Sequence, residues 1–150
     1  MGKGTVQRDQ KRIYATTEQR NQIRTCNQSA DEIRQRAREL ARTAQHSGWQ
    51  AGSMREQVTR LRQQFRSLQE EHNRLMQGQD AEQRAVLQER IRNMEQLGER
   101  VEAELSTIEG ELANTKPDGK RIAGHVREIE RYMKEWQEQY REMHMRMPLP

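Results

Sequence analysis

The chain holds few side chains that could do chemistry, and their spacing brings none of them together. Its histidines stand at His46, His72, His125 and His144. None has another histidine or a cysteine at the i, i+4 spacing that sets two metal ligands on one helix face. Glu70 and Glu71 are consecutive, and consecutive positions on a helix face different ways, so they do not form an acid–base pair. Glu71 beside His72, and Glu142 near His144, are ordinary helix neighbours. Met143-His144-Met145-Arg146-Met147 offers the soft donors that Cu(I) takes, but a Met-rich irregular tail accounts for it without metal. No glycine-rich phosphate loop is present. Cys26 is the single cysteine, so it has no disulfide partner in the chain and reads as a small core residue. A small-molecule site needs concave apolar walls, and the sequence offers no apolar pocket. The expectation is a protein that is not an enzyme, with no cofactor, no metal and no small-molecule substrate.

Composition points the same way. Of the 150 residues, 31% are hydrophobic and 33% charged, and the mean hydropathy is −1.28. A compact globule carries roughly 45–50% apolar residues, so this chain can fill a narrow seam between helices rather than a thick core. Disorder is excluded for most of its length by the strict periodicity of the apolar residues. The filler is Gln, Glu and Arg, all good helix formers, and two of the three prolines lie in the last three residues.

The stretch 54–113 organises the rest. Met54, Val58, Leu61, Phe65, Leu68, His72 and Leu75 form one seam with steps of three and four, and Leu87, Ile91, Met94, Val101, Leu105, Ile108 and Leu112 form another. Gly98 takes an a-type position in the second. The 12-residue step from Leu75 to Leu87 fits no whole number of heptads, so the long helix is expected to run on with a stutter or kink near Gly78; the alternative is a short hinge over 77–80, where Asp80 and Gln83 suit a capping box.

Before it, residues 1–9 form an arm and 10–46 a helix with Ile23, Cys26, Ala30, Ile33, Ala37, Leu40 and Ala44 along one stripe. Residues 47–53 form a turn in which Gly48 and Gly52 supply positive φ, Trp49 plugs the open end and Ser53 with Glu56 caps the next helix. After it come a turn over 114–120, a helix over 121–144 with Ile122, Val126, Ile129, Met133, Trp136, Tyr140 and Met143 in register, and an irregular tail, 145–150. A sixty-residue helix would be about 90 Å long, and the flanking helices together match it. The predicted fold is all-α: an elongated antiparallel coiled-coil rod of one domain, its N- and C-terminal helices folded back on the long central helix. The first hairpin resembles the WxG-type small secreted proteins over about residues 10–78. Its Trp49 and Gly52 have two residues between them rather than one and the chain runs on well beyond, so no family is assigned.

Charge is uneven. Residues 1–46 hold ten Lys/Arg against five Asp/Glu, residues 54–113 nine against twelve, and residues 114–150 eight against six. Oppositely charged segments favour their own association, although an exposed pair contributes only about 0–1 kcal/mol. The functional expectation is a scaffold or adaptor within a larger assembly, such as a virus or phage particle, a secretion machine or a cytoskeletal complex. It would bind other proteins through helical surfaces as a homo- or hetero-oligomer. Seam or partner contacts fall to Ile23, Ile33, Leu40, Trp49, Phe65, Leu68, Ile91, Leu105, Ile129, Met133, Trp136 and Tyr140. The alternative is a basic module that binds nucleic acid or another polyanion through residues 1–46, with Lys11, Arg12, Arg20, Arg24, Arg34 and Arg38 as contacts. No run of 18 apolar residues spans a membrane and the first residues lack a signal peptide's apolar core. A cytoplasmic protein, or one inside an assembled particle, is expected, and leaderless export is compatible with it.

Overall fold

The register break at 78–80 decides the architecture. The computed structural model describes residues 13–150; the arm at 1–9, the helix start expected at Gln10, and Lys11 and Arg12 lie outside the described residues. Four helices and no strand occur among them: α1 (Thr17–Gln45), α2 (Ala51–Gln77), α3 (Ala81–Leu112) and α4 (Gly119–Arg146).

The long central helix of the predicted rod is two helices lying side by side. Gly78 closes α2, and Asp80, with its backbone extended at φ −82° and ψ 176°, opens α3. The Asp80 carboxylate accepts from the Gln83 amide N–H, and the Gln83 side chain accepts from the Asp80 N–H, completing the capping box. Gln19 of α1 then locks the turn: its side-chain amide donates to the Gly78 carbonyl at 3.1 Å and pairs with the Gln83 side chain. Folded back, α3 runs antiparallel to α2, so that Arg62 reaches Glu102 and Glu109 and Arg55 reaches the Leu112 carbonyl. The physical reason is burial. A rod would cover each seam with one partner, whereas four helices of 29, 27, 32 and 28 residues bury all four stripes in one shared core. Each fully buried Leu or Ile there contributes about 1.5–3 kcal/mol.

The helices form an antiparallel ring in which α1 packs on α2 and α4, and α3 packs on α2 and α4. Arg34 and Arg38 of α1 meet Gln137 and Glu130 of α4, and His125 of α4 bonds Glu104 of α3 at 2.6 Å. Across the core, Phe65 of α2 meets Trp136 of α4 edge to face at 5.8 Å.

Several boundaries shift. Ile13–Thr16 are not helical, and α1 begins where Thr16 and Gln19 form their own capping box. Ser53 lies inside α2 rather than at its cap: the helix starts at Ala51 after an extended Gln50 that makes no side-chain cap. No described glycine has positive φ; the turn at 46–50 is made by extended His46 and Gln50. Asp118 caps α4 two residues earlier than expected, through the Lys120 and Arg121 amides. Past α4, Met147 is buried and the Pro148 carbonyl accepts from Ala15, so the start of the tail packs against the segment that leads into α1.

Gly119 sits where α4 meets the first hairpin. A Cβ there would lie 2.2 Å from the Ala44 carbonyl oxygen and 2.6 Å from the Trp49 indole nitrogen. Gly110 and Gly124 have nothing within 4 Å of that position. Opposite effects are expected in thermal unfolding. Gly119→Ala should lose about 2 kcal/mol through overpacking against backbone. Gly110→Ala and Gly124→Ala should each gain about 1 kcal/mol of helix propensity.

Candidate interaction groove between α2 and α3

Of the four neighbouring pairs, α2 and α3 touch least. They are clasped at the end distant from their turn, where Arg62 bridges Glu102 and Glu109. Below that clasp they part over a cavity of about 630 Å³, walled by Gln69 and Asn73 on α2 and by Glu95, Glu99 and Glu102 on α3. Gly98, Met94, His72 and Trp136 lie deeper in it. Towards the turn follows a second hollow of about 460 Å³, which includes Met76, Gln79, Ala81, Ala85, Gln88 and Ile91.

The floor is built by packing. His72 occupies a seam position of α2, and its Nδ1 lies 2.9 Å from the Tyr140 hydroxyl in the buried interior. Trp136 stands between them and Phe65, with ring centroids 5.1 Å from His72, 5.8 Å from Phe65 and 6.3 Å from Tyr140. Burial keeps the imidazole neutral, lowering its pKa to about 4. Burial likewise pushes the Cys26 thiol up to about 11 and the Tyr140 phenol well above its usual range. A thiol held protonated and fully covered is no nucleophile, so the cluster acts as a polar lock that fixes how α2 and α4 meet.

Gly98 shapes the opening. A Cβ at this position would rest 3.6 Å from the Trp136 ring and 3.7 Å from the Gln69 amide nitrogen, ordinary contact distances. Packing therefore does not demand glycine here, although glycine costs about 1 kcal/mol against alanine inside a helix; its absence of side chain leaves space above the indole. On the wall, Glu102 is paired with Arg62, whereas Glu95 and Glu99 make no ion pair with any described residue. In the lower hollow Gln79 is 5% exposed, and both polar atoms of its side chain are buried without a hydrogen-bond partner.

Of the residues singled out in the sequence, Ile23, Ile33, Leu40, Phe65, Leu68, Leu105, Ile129, Met133, Trp136 and Tyr140 are buried within the bundle, while Trp49 and Ile91 are partly buried at its edge. Trp136 borders the groove and Ile91 the lower hollow. The basic residues separate: Arg34 bonds Gln137, Arg38 pairs with Glu130, and Arg20 and Arg24 line a cleft between α1 and α4. Sequence reasoning passed over Glu95, Glu99 and Glu102, whose steps of four and three mark one helix side, and Gln79, which no local pattern separates from the other glutamines. The lower hollow, which includes Met76, Ala81, Ala85 and Ile91, departs from the expectation of no apolar pocket, and polar groups wall the larger. Among the described residues no cluster of His, Cys, Asp or Glu could hold a metal ion, and no helix is long and apolar enough to cross a membrane. Compared with known protein families, curated proteins and solved structures, the chain matches none. The class defined here is an all-α chain of four mutually packed helices.

Proposed function

We propose that the protein is a non-enzymatic adaptor or scaffold that receives a helix of a partner protein in the α2–α3 groove. The observation that carries this reading is the unfilled space above Trp136, walled by two carboxylates that have no cation. A helix laid into such a groove puts an apolar face on the floor. Met76 and Ile91 offer it apolar contact, and Glu95 and Glu99 favour lysine or arginine along one edge. The setting is a larger assembly within the cytoplasm or a particle.

The test uses the full chain with Trp49→Phe, so that Trp136 is the sole tryptophan, and a designed amphipathic helical peptide carrying lysines along one edge. Binding is expected to shift the Trp136 emission and to weaken at least fivefold in Glu95→Gln/Glu99→Gln. An unchanged emission, or equal binding of a peptide of the same composition in scrambled order, contradicts the reading. A second reading, a module for polyanions, is favoured by Arg20 and Arg24.

A further inference from the structure

On the side of the bundle away from the groove, α1 and α4 enclose a cleft of about 260 Å³. Arg20 and Arg24 enter it from α1, and Arg141 and His144 from α4, with Asn27 beside them. Some arginines of the bundle pair with carboxylates: Arg38 with Glu130 at 2.8 Å, Arg62 with Glu109 at 2.8 Å and Arg131 with Glu128 at 2.7 Å. Here no carboxylate lines the wall. Arg24 and Arg141 make no hydrogen bond or ion pair with any described residue, and Arg20 reaches only the carbonyls of His144 and Met147, at 3.4 and 3.5 Å. Those carbonyls belong to the negative end of α4, so they hold the Arg20 guanidinium at the end of the cleft. Like charges spaced i, i+4 on a helix repel, and an anion seated in this concavity would offset the repulsion among its three guanidinium groups.

We propose that this cleft is a binding site for a phosphomonoester dianion, seated between Arg24 and Arg141 with Arg20 behind. A tetrahedral dianion offers three terminal oxygens to guanidinium forks, which bind phosphate in paired hydrogen bonds. Two aromatic rings stand in the wall: Tyr140 is 1% exposed and bonded to His72, and the His144 imidazole is exposed. Tyr140 is thus closed to a nucleobase, and the guanidinium groups are the side chains that read the phosphate. The group could be carried by a small metabolite or by a phosphorylated side chain, and both bring the same dianion.

The experiment titrates the full chain with phenyl phosphate, a phosphoserine peptide and a single-stranded oligonucleotide by calorimetry at about 50 mM salt, where screening is modest. Both monoesters, or either one alone, should bind, and which of them does so identifies the source. Affinity should fall at least tenfold in Arg24→Gln and in Arg141→Gln, less in Arg24→Lys, and stay unchanged in Arg127→Gln, an exposed arginine outside the cleft. These side chains are exposed, and an unaltered circular dichroism spectrum confirms the fold of each variant. Three results overturn the site: no binding of either monoester, equal loss in Arg127→Gln, or an oligonucleotide that binds more tightly than both monoesters.

Discussion

Acidifying the protein from pH 7 to pH 4 is expected to remove about 3 kcal/mol of stability through His72 alone. The folded imidazole has its pKa lowered to about 4 by burial, while in the unfolded chain it returns to its ordinary value near 6.5. Between those values the unfolded state binds a proton that the folded state refuses. The contribution is therefore complete above pH 6.5 and is lost progressively as the pH falls through 6.5 towards 4. His72→Gln keeps a polar partner for the Tyr140 hydroxyl and removes the titration. Urea unfolding of both proteins at several pH values separates this effect from that of the carboxylates, which the two share. The variant's stability should vary less between pH 6.5 and 4 by about 3 kcal/mol; parallel curves would contradict a buried neutral His72.

Trp136→Ala should be the most damaging single truncation, at about 4 kcal/mol, within the range of about 3–5 kcal/mol for emptying a core aromatic site. The indole is 2% exposed and touches three elements at once: Phe65 and His72 on α2, Gly98 on α3 and Tyr140 on its own helix. Its removal joins the core to the groove, and the void cannot close without drawing α2 towards α3. Denaturant unfolding checks the magnitude. A loss below about 1 kcal/mol would mean that the ring does not bridge these helices.

The stripes that fill the core were legible from periodicity. Ile122 to Met143 and Met54 to Leu75 are buried as their three- and four-residue steps imply, and the Asp80/Gln83 capping box stands where the local pattern put it. What the heptads could not say is how many helices share a core, because a seam position in a two-helix rod and in a four-helix bundle makes the same demand for an apolar side chain. The choice rests on contacts distant in sequence. Gln19 holds the turn at Gly78 across 59 residues, and nothing local marks it among nineteen glutamines. Gly119 is needed because Ala44 and Trp49 lie against it, again from another part of the chain. The groove and the basic cleft were hidden for the same reason. Glu95 and Glu99 become a wall only once α3 lies beside α2, and Arg24 faces Arg141 only once α4 lies beside α1.

Both concavities thus depend on α2 and α3 being neighbours rather than successive lengths of one rod. Spin labels on Cys introduced at the exposed positions Gln63 and Ser106, in a Cys26→Ala background, test this directly by pulsed dipolar spectroscopy. Adjacent helices have axes about 8–10 Å apart, so the bundle predicts a label separation below about 20 Å. A continuous helix would put 43 residues between the labels and a separation of about 65 Å, and a population at that distance would contradict the fold on which the groove depends.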